Sequence, residues 1–346
     1  MYLFHNDYNE TCHPKILAKL VQIKSEQLPG YGTDPYCNRA AGMIRSLCAN
    51  DDLAVHFLVG GTQTNLTVIA AALRPHQAVL SAQSAHINVH ETGAVESSGH
   101  KVVTLPSSDG KITAQQVAQA ACDQSCDENA EHGVQLKMVY ISNPTELGTT
   151  YQLAELEQLS AVCKQYGLYL FLDGARLGYA LTAKDNDLSL ADMARLCDVF
   201  YIGGTKCGAM FGEAVVISNA IIAQDFRYLM KQRGAMLAKG WLLGLQFTAL
   251  LEDGLYFEIT SHANKMADQL RQTLMRLGYS LLLPGNTNQV FSILPNSLLD
   301  RLSERFTFMI QEQIDDRHKA VRFCTSWATS QESMDALCTA LGELTE

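Results

Sequence analysis

Short apolar runs alternate with longer stretches of helical period through the first 220 residues of this 346-residue chain. Seven runs read as strands: Ala54 to Val59, Ala78 to Ala82, Lys101 to Leu105, Leu136 to Ile141, Leu168 to Leu172, Val199 to Ile202 and Glu213 to Ile217. Between them, Asn65 to Leu73, Thr113 to Cys122 and Leu153 to Tyr166 carry helical patterns. In the last of these the apolar residues fall at 153, 156, 159, 162 and 163, on one face, and Gly167 follows where a helix C-cap belongs. The alternation predicts an α/β fold, a mainly parallel sheet covered by helices on both faces. From Ala223 the helical pattern runs with few breakers to about Leu277, and Gly278 stops it. A strand (Tyr279 to Leu283), a turn at Pro284-Gly285-Asn286, a strand (Gln289 to Leu294), a helix, a strand (Ala320 to Thr325) and a final helix from Gln331 complete the expectation. This divides the chain into a large domain with its N-terminal segment, 1–255, and a small C-terminal α+β domain, 256–346.

Composition narrows the classes. With 36 acidic against 26 basic residues, a net charge of −10 and 47% hydrophobic residues, neither a disordered chain nor a nucleic-acid binder fits. Any bound anion must be held by a few local groups. The ten cysteines are scattered rather than set out as a disulfide framework. Met1 to Asp7 has neither the basic start nor the apolar run of a signal peptide, so a cytoplasmic protein with reduced thiols is expected. Trp241 to Leu251 is too short and too polar to span a bilayer and reads as a buried helix, so no membrane partner is expected. Cys122 and Cys126, with His132 beyond, could suggest a metal. No second ligand pair stands at finger spacing, and the reading adopted is a helix end with no metal.

Three constellations carry candidate chemistry. Gly60-Gly61-Thr62-Gln63-Thr64-Asn65 follows a strand and opens a helix, where freed backbone N–H groups and threonine hydroxyls suit a phosphate. A tight strand-to-helix turn with Thr64 as N-cap is the plainer alternative. No Gly-Lys-Ser/Thr ending is present, which argues against a nucleotide triphosphatase. Asp173 closes the apolar run Leu170-Phe171-Leu172 and so reaches the carboxyl edge of the sheet, where open α/β folds bind ligands. It suits a protonated ring nitrogen, a metal or a helix N-terminus. Lys206, in Gly203-Gly204-Thr205-Lys206-Cys207-Gly208, stands past the next strand among small residues, as an amine reaching into a crowded site would. A desolvated lysine of lowered pKa is what Schiff-base chemistry needs. An anion loop, a strand-end Asp and, 33 positions later, a strand-end Lys are together the parts that pyridoxal 5'-phosphate requires.

The stretches Phe171 to Leu177, Gly204-Thr205-Lys206 with Phe211-Gly212-Glu213, Gly61 to Asn65, and Ala85-His86-Ile87 with Glu91 resemble the low-specificity L-threonine aldolases. These are pyridoxal-phosphate enzymes of the aspartate-aminotransferase-like fold, and the similarity runs from Asn6-Asp7 and Tyr31-Gly32-Thr33-Asp34 to Val321 through Trp327. The resemblance implies that the cofactor is held by Gly60, Gly61, Thr62, Asp173, Lys206, Arg176 and His86, with the His86 ring over the pyridine face. It implies Lys206, His86 and Glu91 as the catalytic set, Glu91 supporting the histidine or ordering a water. A solvent-facing glutamate is the plainer reading of Glu91. Arg176, Arg322, Asn6 and Tyr31 would bind substrate, the arginines by matching its carboxylate bidentately. Arg176 could instead pair with Asp173. Where the family commonly reads Arg-Ser-Asp near the N-terminus this chain reads His5-Asn6-Asp7, and it carries Trp241 where near relatives tend to have a basic residue.

The implied reaction is retro-aldol cleavage of L-threonine or L-allo-threonine to glycine and acetaldehyde. Lys206 exchanges its imine for one with substrate, and His86 or a water it holds takes the β-hydroxyl proton. The alternatives are β-elimination with the same cofactor and a non-catalytic scaffold. The family's assembly is a homotetramer with sites shared across a dimer interface, Tyr31 and the segment from Arg233 to Lys239 being candidates to cross it.

Overall fold

The computed structural model describes residues 1–345. A short strand β1 (Tyr2–Leu3) precedes seven that correspond to the seven apolar runs: β2 (Ala54–Leu58), β3 (Gln77–Ala82), β4 (Lys101–Leu105), β5 (Gln135–Ser142), β6 (Tyr169–Asp173), β7 (Val199–Gly203) and β8 (Glu213–Ile217). They form one sheet in the order β2-β8-β7-β6-β5-β3-β4. β8 runs antiparallel to β2 and β7, and every other pairing is parallel. All residues of β3, β7 and β8 are buried, which requires cover on both faces of the sheet. Helix Leu153–Tyr166 has the predicted bounds and ends at Gly167, whose φ of 64° is the left-handed cap conformation.

A second, three-stranded antiparallel sheet has the order β11 (Met309–Gln313), β12 (His318–Cys324), β9 (Gln289–Pro295). The two-residue strand β10 (Phe306–Thr307) pairs in parallel with β1, and Cys324 N donates to Phe4 O at 2.7 Å, so the chain's first residues lie against its last third. Helix Leu255–Arg276 serves both cores. Leu255, Tyr256, Ile259 and Ala263 join the core under the large sheet, while Met266, Ala267, Leu270 and Leu274 join that of the small sheet.

The structure corrects several expected elements. The continuous helical stretch from Ala223 is broken into Phe226–Gln232, Trp241–Leu251 and Leu255–Arg276. Asp225, Gly234, Asp253 and Gly254 take positive φ between the pieces, and the apolar period persists because each piece buries a face of its own. The expected strand Tyr279 to Leu283 reduces to one bridge, Leu281 to Ser292, flanked by hydrogen bonds from Ile293 N to Ser280 O at 2.9 Å and from Leu282 N to Phe291 O at 3.0 Å. Helix Gly61–Ala72 begins four residues before its expected start, with Gly60 in extended conformation as N-cap, so Thr64 sits inside the first turn and is not the cap. The helix Trp241–Leu251 is buried from Leu243 to Leu251. Its polar Gln246 is satisfied by Met210 N at 2.8 Å and by Phe211 O at 3.1 Å. Among the described residues no helix is long and apolar enough to cross a membrane. Cys122 and Cys126 lie one turn apart at the end of helix Ala114–Cys126, their sulfurs 3.8 Å apart.

The ends of β6 and β7 are fastened main chain to main chain. Gly203 N donates to Gly174 O at 2.9 Å, and a Cβ at Gly174 would overlap the Tyr201 carbonyl oxygen, as one at Gly203 would overlap that of Ala175. Only glycine permits this approach. Because the obstacle is backbone rather than a movable side chain, Gly174→Ala is expected to lose about 2–3 kcal/mol or more in chemical denaturation. A variant as stable as the parent would show that the two strand ends are free to separate.

Candidate active site

One cavity at the carboxyl ends of β5, β6 and β7 is lined by Gly61, His86, Ser142, Glu146, Asp173 and Lys206, with Arg176 at its side. Each arrives from a different element. β6 is apolar up to Leu172 and delivers Asp173 at its last position, buried. The tight turn after β7 presents Lys206, whose carbonyl accepts from Tyr179 Oη at 2.5 Å. The short helix His86–Val89 sets His86 at its first residue.

Asp173 is densely satisfied. Its Oδ1 accepts from Ala175 N at 2.9 Å, and its Oδ2 accepts from Tyr140 Oη at 2.5 Å and from Asn65 Nδ2 at 3.0 Å. Burial alone would raise its pKa, yet the nearby His86, the Tyr140 hydroxyl and Ala175 N hold the carboxyl below its ordinary value. Such an acid stays ionised against a protonated ring nitrogen. Lys206 is also shifted down, which for an amine favours the neutral form: burial and then the Arg176 charge push it below the usual lysine range, against the pull of Asp7, Asp173 and Glu213. That raises the fraction present as a neutral nucleophile.

His86 Nδ1 lies 2.7 Å from Glu91 Oε1, and the Glu91 side chain is wholly buried rather than solvent-facing. A carboxylate only accepts, so Nδ1 carries a hydrogen toward Glu91 and Nε2 is the ring nitrogen left to the site. Arg176 forms its bidentate ion pair with Asp7, Nε at 2.7 Å and Nη2 at 2.9 Å, and not with Asp173. Asp7 is fully buried and also accepts from Asn288 Nδ2 at 2.9 Å. Arg322, on β12, donates to His5 O at 3.2 Å and to Gln289 Oε1 at 3.3 Å, and its buried Nε has no partner. The segment His5 to Asp7 thus runs between the two arginines. Asn6 engages its own turn, accepting from Tyr8 N at 3.0 Å. Tyr31, 46% exposed, lies elsewhere on the surface with the Lys231 amine 4.7 Å above its ring, and it does not line this cavity within its own chain.

In the loop from Gly60, helical bonding starts with Thr64 N to Gly60 O at 3.0 Å, so the N–H groups of Gly61, Thr62 and Gln63 have no carbonyl within the helix. Gln63 donates to Arg233 O at 3.1 Å and ties in the following segment. Buried polar atoms without partners surround the site: Thr64 Oγ1, Tyr201 Oη, Glu91 Oε2 and Arg233 Nε. Native proteins rarely leave so many buried groups unpaired, and here their kinds, free N–H donors and hydroxyls at one end, an acid in the middle and an amine beyond, fit a ligand carrying a phosphate, a basic ring nitrogen and an aldehyde. Pyridoxal phosphate is such a ligand.

Four residues of the site were given no role by the sequence reading. Glu146 Oε1 accepts from Ser142 Oγ at 2.7 Å and from His86 N at 3.0 Å, and burial pushes its carboxyl up. Glu213 Oε2 accepts from Gly204 N at 3.0 Å and Oε1 from Thr205 Oγ1 at 2.8 Å, and burial raises it to about 8. Tyr140 and Asn65 face Asp173 from β5 and from helix Gly61–Ala72. The sequence quoted Glu213 and Asn65 inside motifs, without a part for either to play.

The chain matches the Beta-eliminating lyase family over residues 14–297. It is 30% identical to a low specificity L-threonine aldolase of Pseudomonas sp. across 94% of this chain and 92% of that protein, and 26% identical to one of Saccharomyces cerevisiae across 85% and 76%. Among solved structures, a threonine aldolase of Leishmania major superposes with a TM-score of 0.97 at 48% identity, covering 100% of both chains. A histidinol-phosphate aminotransferase of Clostridium acetobutylicum superposes at 0.75 with 14% identity, covering 100% of this chain and 99% of that one, which shows a shared fold.

Burial makes the Asp7–Arg176 pair a pH-sensitive part of the structure. Burial raises the Asp7 pKa, but the Arg176 charge and hydrogen bonds outweigh it, and the net direction is down from 3.8. A depressed carboxyl stabilises the fold fully above its unfolded pKa, and that stability disappears as pH falls through the folded value. Asp7→Asn is therefore expected to lose about 3–5 kcal/mol near neutral pH by leaving the guanidinium buried and unpaired. The deficit against the parent should shrink below pH 4 in denaturant titrations, and a deficit independent of pH would contradict the ion pair.

Proposed function

The chain belongs to the beta-eliminating lyase family, whose members are pyridoxal-phosphate enzymes, and from that premise we propose that it is a threonine aldolase. Its reaction is retro-aldol cleavage of L-threonine or L-allo-threonine to glycine and acetaldehyde. The observation that carries this reading is the convergence of Lys206, Asp173 and the His86–Glu91 pair on one cavity.

Lys206 supplies the amine for the cofactor's aldehyde, Asp173 faces the ring nitrogen, and the backbone of Gly60, Gly61 and Thr62 receives the phosphate. The chemistry that bound pyridoxal phosphate supplies is an electron sink for the Cα–Cβ bond being cut. The protein's own work is to orient the substrate and move its protons. Arg322, through its unpartnered Nε, and Arg176, through the Nη1 that Asp7 leaves free, hold the substrate carboxylate, with the Asn6 amide nearby. Fixing the carboxylate would orient the bonds at Cα relative to the bound cofactor. With Nδ1 committed to Glu91, His86 Nε2 takes the β-hydroxyl proton directly or through a water, and the oxygen becomes the aldehyde carbonyl. A low lysine pKa and a low Asp173 pKa serve opposite ends of the same cofactor.

The protein works as a cytoplasmic homotetramer in threonine breakdown and glycine supply. Tyr31 is presented outward with a positive φ of 61°, and it reaches substrate in the neighbouring subunit. The segment from Arg233 to Lys239 joins it at that interface. Sedimentation of the purified protein should give a tetramer, and a monomer would refute the shared site.

Incubation with L-threonine and L-allo-threonine should yield equimolar glycine and acetaldehyde. The protein should carry a visible cofactor absorbance band that Lys206→Ala abolishes. Pyruvate or another oxo acid with ammonia, and no glycine, would make the enzyme a β-eliminating lyase instead.

A further inference from the structure

Asn65 is fully buried on helix Gly61–Ala72, and its single amide nitrogen meets two acids. Nδ2 donates to Glu91 Oε1 at 2.7 Å and to Asp173 Oδ2 at 3.0 Å, with Tyr140 Oη 3.4 Å away. Glu91 Oε1 is also the atom that His86 Nδ1 reaches. Asn65 Oδ1, by contrast, is buried and accepts from nothing. The residue is placed for its donor alone. The amide must point its nitrogen this way, since its oxygen would face two carboxylates that can only accept.

We propose that Asn65 is a positioning residue whose one nitrogen lets Glu91 and Asp173 share a buried site, linking the acid that faces the cofactor ring to the acid that orients His86. The inference rests on the reading that Asp173 faces the ring nitrogen and that His86 acts on substrate. Two carboxyls brought together without a shared donor do not both ionise readily, and one takes up a proton at higher pH. Asp173 is also faced by Ala175 N, by Tyr140 and Glu146 from the end of β5, by Tyr201, Lys206 and Glu213 from the β7–β8 hairpin, and by His86. Of the side chains that hydrogen-bond to it, Asn65 is the one that at the same time touches the histidine's own partner.

The consequence is a coupling between two ends of the site. Asp173 remains below its ordinary pKa despite burial, with His86, Tyr140 and Ala175 N among the groups that lower it, and Asn65 adds a donor 3.0 Å from its Oδ2. Without that donor its pKa rises, and the ring nitrogen loses its counter-charge from a higher pH downward. Glu91 is then displaced from the position in which it holds the His86 tautomer. A merely structural role for Asn65 would lower stability without moving either titration.

The test uses holoenzyme of the parent, Asn65→Leu, Asn65→Asp and the double variant Asn65→Leu/Glu91→Gln. The readouts are the pH midpoint of the visible cofactor band, kcat and KM for threonine, and thermal unfolding. Asn65→Leu, near-isosteric and without a donor, should lower kcat about 10- to 100-fold with little change in KM and shift the band midpoint upward by about one to two pH units. Asn65→Asp, which adds a third carboxyl, should shift it further, and it carries the test if the leucine variant does not fold. Replacing Glu91 by Gln in the leucine background removes the competing acid and should bring the midpoint back toward the parent's. A parent-like midpoint in both single variants, or a double variant no closer to the parent than Asn65→Leu, would overturn the inference. A parent protein with no visible band, or with no glycine formed from threonine, would fail the functional reading itself and is recognised without any variant.

Discussion

A carboxylate buried at the end of an apolar strand is the constraint around which this structure is arranged. Asp173 sits where the sheet offers no water, and an ionised acid in such a place is costly unless it is surrounded by donors and cations. Tyr140 comes from the neighbouring strand, Asn65 from the helix that begins at the glycine loop, and Ala175 N from the turn that follows. Each of these fixes an element relative to β6. His86 is fixed in turn through Glu91, which shares the Asn65 amide. Supporting one charge therefore specifies the relative positions of β5, β6, the helix that begins at the glycine loop and the short helix of His86, which are the walls of the site.

The cationic side of the site is ordered by the same logic at the opposite edge. Arg176 is held by Asp7, and Asp7 by Asn288, so the segment preceding the first long helix is anchored between the two sheets. Arg322 reaches the carbonyl of His5 in the same segment. A chain of net charge −10 thereby places two arginines where an amino acid's carboxylate would lie. The whole-protein charge says nothing of this, because it sums over a surface on which these groups hardly appear.

Legibility in the sequence followed the range of the interactions. Strands β3, β7 and β8 were readable because strands buried on both faces leave continuous apolar runs, and Asp173 and Lys206 were readable because one closes such a run and the other stands just past one. His86 and Glu91 lie five positions apart, and the resemblance to a family of known chemistry supplied their pairing. β11 escaped because it is an exposed edge strand with no buried face to impose alternation. The helix breaks near 225, 234 and 253 escaped because single residues in left-handed conformation interrupt a helix without disturbing its apolar period. The partners of Asp173 and Arg176 were out of reach for another reason. Asn65 stands 108 positions from Asp173, and Asp7 stands 169 positions from Arg176, and no local pattern encodes such pairings.

The main-chain fastening of β6 to β7 divides the molecule for anyone who wishes to redesign it. Asp173 and Lys206 are carried by backbone that has no lateral freedom, so the spacing between acid and amine is independent of the side chains around them. The segments bearing His86 and Glu146 are joined to one another through the Glu146 side chain, which accepts from His86 N and from Ser142 Oγ. Cofactor chemistry is thus built into the rigid part of the scaffold, and the wall that would meet the departing aldehyde into its adjustable part. An engineer seeking new aldehydes would leave the first untouched and randomise the second.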